Sequence, residues 1–160
     1  MKYKLTEETK EHFGRTLHRI VCVTAFADVA AGELGGWIES ENNLDQYGNA
    51  WVSGNARVSD DAQVYGNALV SDDAQVSGNA LVYGNARVKK TADYIVLKNN
   101  WSSGRYFTYT LSNKMWKVGC FYGTGKALIK KAYADSELSG KCYEAAVRYV
   151  EALEKIQAEE

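Results

Sequence analysis

The chain has 160 residues, of which 46% are hydrophobic and 24% are charged, and its formal net charge is −1 at pH 7. This composition is typical of one globular domain, or of one domain with an appended cap. The near-neutral charge argues against non-specific binding of duplex DNA, which requires a basic surface.

The N-terminal residues, MKYKLTEETKEHF, are polar and charged, which argues against a signal peptide. No stretch of the sequence approaches the ~20 apolar residues that a membrane-spanning helix needs. The cysteines Cys22, Cys120 and Cys142 are widely spaced and odd in number, which predicts reduced thiols. We therefore expect a cytoplasmic protein without a membrane partner.

Residues 1–36 predict an N-terminal β segment. The run LHRIVCVTA, from Leu17 to Ala25, is rich in β-branched residues and predicts a strand that follows a turn at Gly14. The segment AGELGGWIE then contains three glycines that predict tight turns: Gly32, Gly35 and Gly36.

Seven hexads follow one another between Tyr47 and Val88, and each has Ala at its fourth position and Val at its sixth. They read YGNAWV, SGNARV, SDDAQV, YGNALV, SDDAQV, SGNALV and YGNARV. This period predicts short strands with alternate side chains inward, separated by tight turns, as in a stacked β-solenoid. The Gly-Asn and Asp-Asp pairs suit those turns, because Gly, Asn and Asp tolerate left-handed backbone conformations.

Residues 37–88 form the predicted solenoid, which begins at Ile38 and Leu44 before the first complete hexad. The register shifts by two residues there, since Leu44 and Val52 are eight residues apart instead of six. With three hexads per turn, residues 18 apart are neighbours on one side of the stack. The predicted fold is thus mainly β: a short three-sided parallel β-helix with an N-terminal β segment and a C-terminal α+β cap.

One side of this β-helix is predicted to be rich in aromatic residues, because its hexads begin with tyrosine and also place Trp51 and Leu69 outward. Soluble monomers rarely expose so large an apolar patch, so we predict that it is an interface between copies of a homo-oligomer. The predicted interface residues are Tyr47, Trp51, Tyr65, Leu69 and Tyr83. The competing account is that the N-terminal segment or the cap covers this side within one chain.

Residues 89–160 depart from the hexad pattern and predict an α+β cap that closes one end of the stack. Alternating residues predict strands, and apolar residues spaced four and three apart predict helices. The predicted strands are Tyr94 to Leu97, Tyr106 to Leu111 and Met115 to Val118, and the predicted helices are Lys126 to Ala134 and Ser139 to Ile156.

The segment GTGK, from Gly123 to Lys126, opens the first predicted helix but lacks the Walker spacing. A glycine-rich turn at a helix N-terminus exposes N–H groups that suit an anion, and nearby cations and aromatic rings suit a nucleotide or a single strand. The predicted ligand-binding residues are Arg105, Tyr106, Tyr109, Trp116, Lys117, Thr124, Gly125 and Lys126. The alternative is an aromatic cap core surrounded by solvated lysines.

Catalytic and metal-binding residue types are scarce in the repeats. The two histidines, His12 and His18, precede them, so the repeats hold no histidine base and one chain cannot build a three-histidine metal site. The pairs Asp60-Asp61 and Asp72-Asp73 belong to different predicted sides, which favours turns over a calcium site. We therefore predict no catalytic residue, no metal and no cofactor.

Residues 15–88 carry the run AGELGGWIES, followed by NL and a train of V-x-G-N-A-x units. This pattern resembles the hexapeptide-repeat proteins of bacteriophages and prophages, and the tail from Phe107 onward resembles a C-terminal unit often joined to them. The repeats also resemble the left-handed parallel β-helix of acyltransferases. They depart from it because Ser or Tyr directly follows the aliphatic residue and Gly comes one residue later.

The sequence leads to three hypotheses for function. The first is a non-enzymatic binding or assembly protein that self-associates and, as the phage resemblance implies, binds a protein target of a host defence system in the host cytoplasm. The second is capture of a small anionic ligand, such as a nucleotide messenger, by the cap or by a groove between subunits. The third, acyl transfer, is disfavoured because the repeats offer no suitable base.

Overall fold

A computed structural model describes residues 1–159, which form four β-sheets and two α-helices. The strands are β1 (Tyr3–His12), β2 (Arg15–Cys22), β3 (Leu34–Ile38), β4 (Trp51–Val52), β5 (Arg57–Val58), β6 (Gln63–Val64), β7 (Leu69–Val70), β8 (Gln75–Val76), β9 (Leu81–Val82), β10 (Arg87–Val88), β11 (Tyr94–Lys98), β12 (Tyr106–Thr110), β13 (Met115–Val118) and β14 (Phe121–Gly123). The helices are α1 (Gly125–Asp135) and α2 (Glu137–Ala158). Within the described residues, no helix combines the length and the apolar character needed to cross a membrane.

Each hexad forms one two-residue strand that ends at its Val. Strands three hexads apart pair in parallel: β7 lies between β4 and β10, β5 pairs with β8, and β6 pairs with β9. The Ala and Val side chains of all seven hexads are fully buried, which confirms the predicted inward positions. The middle of the chain is therefore a β-solenoid repeat region with an Ala/Val core.

The second residue of every hexad has a positive φ, between 57° and 70°. Five of these residues are glycine and two are aspartate, Asp60 and Asp72. Glycine adopts this conformation without strain and aspartate tolerates it, so the Gly-Asn and Asp-Asp pairs form the predicted turns. The Asp60 carboxylate also accepts a hydrogen bond from the Gly78 N–H at 2.9 Å and pairs with Arg15 Nε at 2.7 Å.

The solenoid pairing begins at Ile38 and Leu44, as predicted. Ile38 pairs with Val58, and Leu44 forms a parallel bridge with Val64. Each of these pairs spans 20 residues instead of 18, because the two extra residues lie between Leu44 and Val52. The predicted boundary between residues 36 and 37 falls inside β3.

The N-terminal segment continues one sheet of the solenoid, in the order β1-β2-β3-β5-β8. The prediction of tight turns at Gly35 and Gly36 was wrong, because both residues lie within β3. A Cβ on Gly35 would come within 2.6 Å of Ile20 Cγ1, and one on Gly36 would come within 2.8 Å of the Ala56 carbonyl oxygen. These glycines therefore allow a close approach of neighbouring chain segments.

The C-terminal unit is an antiparallel sheet of β11, β12, β13 and β14 with α1 and α2 packed on it. Its core contains Phe107, Trp116, Leu128, Tyr143 and Val147. The predicted strands and both predicted helices are confirmed to within two residues at each end. Strand β14, Phe121–Gly123, was not among the predicted strands.

Many backbone hydrogen bonds between successive turns of the solenoid run in one direction. N–H groups of earlier hexads donate to Ala carbonyls three hexads later, as from Gln63 to Ala80 at 2.9 Å. At the N-terminal end, Ala carbonyls such as those of Ala50 and Ala62 therefore have no earlier hexad to accept from, and at the C-terminal end N–H groups such as that of Leu81 have no later carbonyl to donate to. These groups need hydrogen-bond partners from the flanking segments.

Side-chain donors meet the carbonyls at the N-terminal end. Lys2 Nζ donates to the Ala50 carbonyl at 2.7 Å, and Asn43 Nδ2 donates to the Ala62 carbonyl at 2.9 Å. Burial lowers the pKa of the Lys2 ammonium to about 8. Neither residue could be identified from the sequence, because a polar side chain outside the repeats gives no sign of which carbonyl it meets.

Side-chain acceptors meet the N–H groups at the C-terminal end. The Leu81 N–H donates to Thr108 Oγ1 at 2.8 Å, and the Arg87 N–H donates to Ser112 Oγ at 2.8 Å. The Lys89 N–H donates to Asp93 Oδ2, also at 2.8 Å. The two flanking segments thus complete the ladder with groups of the required polarity.

The substitution Val70→Ala is expected to lower the free energy of unfolding by about 1–3 kcal/mol. Val70 is fully buried between its ladder neighbours Val52 and Val88, so the shorter side chain leaves a cavity. The outward substitution Gln75→Ala is expected to cost less than about 0.5 kcal/mol. Urea denaturation measures both, and equal losses would contradict the inward and outward assignment.

Candidate binding groove

A groove of about 760 Å³ lies where the N-terminal segment, the solenoid and the C-terminal unit meet. Its floor consists of Trp51, Leu69 and Arg87, which occupy the same position in three hexads and pair side by side. One wall is the loop after β2, which includes Phe26. The opposite wall includes Leu111, which directly follows β12. All three parts of the chain therefore contribute to one concave surface.

The N-terminal wall packs directly on Trp51. Phe26 and Val29 exchange two backbone hydrogen bonds, of 3.1 and 2.8 Å, which fold this loop back on itself. The Phe26 ring meets the Trp51 ring edge-on at 5.3 Å, and the Tyr3 ring approaches Trp51 at 6.5 Å. Trp51 is therefore only 4% exposed, and the expectation of an exposed Trp51 was wrong. The N-terminal segment covers it within the chain, as the competing account proposed.

The floor of the groove changes in character along its length. Trp51 and the half-buried Leu69 make it apolar near the N-terminal wall, and Arg87 makes it cationic near the C-terminal unit. Arg87 Nη1 is held by the carbonyls of Asn67 at 3.3 Å and Asn85 at 3.0 Å. Asp28 and Glu33 add carboxylates on the N-terminal side, and Lys89 and Asp93 add one charge of each sign near Arg87. The groove thus offers a central apolar surface bordered by groups of both charges.

The tyrosines of the predicted interface lie apart from this groove. The Tyr65 and Tyr83 rings are tilted by 42° with their centroids 4.5 Å apart, and Tyr83 meets Tyr122 of β14 edge-on at 5.0 Å. Burial and the neighbouring Tyr83 raise the pKa of Tyr65 to about 12. Tyr47 is 82% exposed and shares a separate depression with Tyr65. The five predicted interface residues therefore do not form one continuous exposed surface.

The predicted ligand-binding residues do not form one site. Five of them line a pocket of about 370 Å³ beside α1: Tyr109, Trp116, Thr124, Gly125 and Lys126. Glu151 and Glu154 line the same pocket, and burial together with the hydrogen bond from the Tyr109 hydroxyl to the Glu154 carboxylate raises the pKa of Tyr109. Lys114 also lines the pocket and pairs with Glu154 at 2.8 Å, so the two carboxylates balance the two lysines and leave no excess positive charge for an anion.

The other three predicted ligand-binding residues lie outside that pocket. Lys117 Nζ lies over the Tyr83 ring at 4.7 Å, and Tyr106 lies beside Lys98, whose Nζ is 5.8 Å from its ring. Arg105 approaches Gly119 in the turn after β13. The Thr124 hydroxyl accepts from the Ala127 N–H at 3.2 Å and so already caps the N-terminus of α1.

The two histidines also lie away from the groove. His12 belongs to β1 and His18 to β2, and neither lines the groove. In the part of the chain that the structure describes, no three side chains of His, Cys, Asp or Glu gather closely enough to hold a metal ion.

The repeats are similar to those of known proteins. Residues 62–74 and 74–89 match the family described as YdcK Beta solenoid repeat. A stretch of 61 residues is 39% identical to part of the Uncharacterized acetyltransferase YdcK of Escherichia coli (strain K12). This stretch covers 32% of the present chain and only 18% of the E. coli protein. The matches support a hexapeptide-repeat β-solenoid in the middle of the chain.

Proposed function

We propose that this chain is a non-enzymatic binding protein whose groove holds a segment of a partner protein. The observation that carries the proposal is the composition of the groove, which joins an apolar floor at Trp51 and Leu69 to the cation of Arg87. Its volume of about 760 Å³ lies within the range of ligand sites. Buried aromatic residues and arginine are the residue types that contribute most to protein interfaces.

The solenoid serves in this proposal as a rigid scaffold. Parallel pairs 18 residues apart occur in three separate sheets, which supports a short three-sided β-helix with three hexads per turn. A stack of this kind holds Trp51, Leu69 and Arg87 in a row at the strand spacing of about 4.8 Å. A rigid row limits the ordering cost of binding.

The partner in this proposal is a protein of a bacterial defence system, and the binding protein is phage-encoded and acts in the host cytoplasm. This step rests on the resemblance of residues 15–88 to phage and prophage repeat proteins. The second candidate, capture of a nucleotide by the C-terminal unit, is less well supported because Glu151 and Glu154 line the pocket beside Lys126.

The E. coli protein that shares part of the repeat is named as an acetyltransferase. We do not propose this activity for the present chain, because imidazole is the most frequent general base and neither histidine reaches the groove. Both histidines lie on the hairpin of β1 and β2, and among the residues that line the groove there is no histidine. The remaining groups in the groove are suited to holding a partner.

A substitution in the groove should separate the two binding hypotheses. Leu69→Arg is expected to fold, because Arg87 occupies the equivalent position one strand further along the sheet. It should abolish capture of the partner from bacterial cytosol, because a cation replaces the centre of the apolar floor. Lys126→Ala, at the other pocket, should leave that capture unchanged. Affinity purification with quantitative mass spectrometry compares the two variants with the wild type.

The same variants test the nucleotide alternative. A nucleotide that raises the melting temperature of the wild type, and loses this effect in Lys126→Ala but not in Leu69→Arg, would move the binding site to the cap. Ligand binding to the native state stabilises it by about 2.7 kcal/mol at a hundredfold excess over Kd, which a thermal melt detects. If the wild type and Leu69→Arg capture the same proteins, the groove is not the binding site.

A further inference from the structure

Helix α2 is apolar on two faces. One face packs into the core of the C-terminal unit through Tyr143, Val147 and Val150. The opposite face carries a second apolar row, spaced four, three, four, three and four residues apart, which we call the α2 stripe: Leu138, Cys142, Ala145, Tyr149, Ala152 and Ile156. At 3.6 residues per turn these six positions fall within about 80° of the helix circumference.

The α2 stripe is open to solvent. Leu138 is 59% exposed, Tyr149 is 53% exposed and Ile156 is 58% exposed. A helix on the surface of a globular protein normally places polar residues opposite its buried face. Apolar residues at heptad spacing over three heptads are instead typical of a helix that packs against another helix. The stripe therefore indicates an interface.

Charges on one border of the stripe are compensated within α2. Lys141 pairs with Glu137 at 3.2 Å, and Arg148 pairs with Glu151 at 3.0 Å and with Glu144 at 3.6 Å. A second copy of α2 that approaches the stripe therefore meets no row of uncompensated charge. This border suits a copy of the same helix better than a strongly charged partner.

We propose that the α2 stripe joins two copies of this chain in an antiparallel helix pair. When two copies of the stripe run in opposite directions and are centred near Val147, the central large side chains of one copy lie opposite small side chains of the other. Tyr149 of one copy then lies over Ala145 of the other, and Ile156 lies over Leu138. Cys142 lies opposite Ala152. Large side chains meet small ones at the centre, which lets the two helices approach closely.

The antiparallel direction is favoured over the parallel one on two grounds. A parallel pair would place Tyr149 against Tyr149 and Ala145 against Ala145, which crowds one level and leaves a gap at the next. It would also align the two helix dipoles, whereas the antiparallel pair brings the N-terminal Glu137 of one copy toward the C-terminal Lys155 of the other. The two-fold pair is a closed dimer, and it leaves the groove outside the interface.

Sedimentation of the full chain from micromolar to millimolar concentration tests the dimer. The wild type is expected to double in mass as the concentration rises. Ala145→Glu should raise the dimer dissociation constant more than about tenfold, since it buries an unpaired charge in the interface. Ala127→Glu makes the same change at an exposed alanine on α1 and should dimerise like the wild type. Circular dichroism checks that both variants retain their helices.

Cysteine cross-linking tests the direction of the helix pair, in a Cys120→Ser background that removes the exposed thiol and leaves the half-buried Cys142. Oxidation of this variant should give no covalent dimer, because Cys142 faces Ala152 of the other copy. Adding Ala152→Cys should produce a covalent dimer through Cys142. A wild type that remains monomeric at every concentration, or an Ala145→Glu variant that dimerises normally, would overturn the interface. A covalent dimer through Cys142 alone would overturn the antiparallel direction.

Discussion

Replacing Asn43 by alanine is expected to lower the free energy of unfolding by about 2–4 kcal/mol. Asn43 is fully buried at the N-terminal end of the solenoid. Its Oδ1 accepts from the Ser40 N–H at 2.9 Å, and its Nδ2 donates to the carbonyls of Asp60 at 3.2 Å and Ala62 at 2.9 Å. Alanine would leave these three backbone groups without partners in a site closed to solvent, which is the costly way to lose a hydrogen bond.

The neighbouring residue provides a matched control. Asn42→Ala makes the same chemical change at an exposed position and is expected to cost less than about 0.5 kcal/mol. Asn43→Asp keeps the acceptor and loses the donor, so its loss at neutral pH should include an added penalty for a buried carboxylate beside two carbonyls. Urea denaturation of the three variants measures the differences. Equal losses at Asn42 and Asn43 would show that the solenoid end does not depend on this side chain.

The interior of the solenoid could be predicted from the sequence because its constraints recur in every hexad. Only small or β-branched residues fit the core, and only residues that tolerate a positive φ fit the turn, so Ala, Val and Gly or Asp return at fixed positions. The change of register between Leu44 and Val52 was visible for the same reason. Pairing over 20 residues instead of 18 follows from it directly.

The ends of the solenoid could not be predicted in the same way. Lys2, Asn43 and Thr108 meet backbone groups at the ends of the solenoid, and each of these contacts occurs once, without a period to reveal it. The direction of the bonds to the Ala carbonyls does predict the kind of residue that meets them: a donor for an Ala carbonyl at the N-terminal end, and an acceptor for the N–H group of the residue after Ala at the C-terminal end. It does not predict which polar residue of a flanking segment reaches the end.

The candidate groove was only partly predictable. The hexad period correctly predicts that Trp51, Leu69 and Arg87 form one row, but it does not show that Phe26 covers the first of them. The tyrosine at the first position of the hexad precedes the turn and the outward residue follows it, so the two belong to different sides. The prediction of one aromatic surface was therefore wrong, because Trp51 lines the groove and Tyr65 lines a different depression.

Replacing Gly35 by valine is expected to lower the free energy of unfolding by about 3 kcal/mol or more, the upper range for overpacking. A Cβ at this position would lie 2.6 Å from Ile20 Cγ1, 2.7 Å from the Val52 carbonyl oxygen and 2.8 Å from Trp51 Cζ2. The Val52 backbone belongs to the solenoid ladder and cannot move without breaking it. The strain should therefore separate β3 from Trp51 and open the N-terminal wall of the groove.

Three measurements follow from this account. The loss of stability in urea should increase from Gly35→Ala to Gly35→Val, because the larger side chain adds two methyl groups to the same contact. Leu34→Val, at the exposed preceding residue of β3, should cost less than about 0.5 kcal/mol. Quenching of tryptophan fluorescence by acrylamide should increase in Gly35→Val as Trp51 loses its cover. A Gly35→Val variant as stable as the wild type would show that β3 and the solenoid are not in close contact. In that case the stability of the fold and the shape of the groove would be independent of each other. The contacts of Gly35 with both Val52 and Trp51 predict instead that a loss of stability and an opening of the groove occur together.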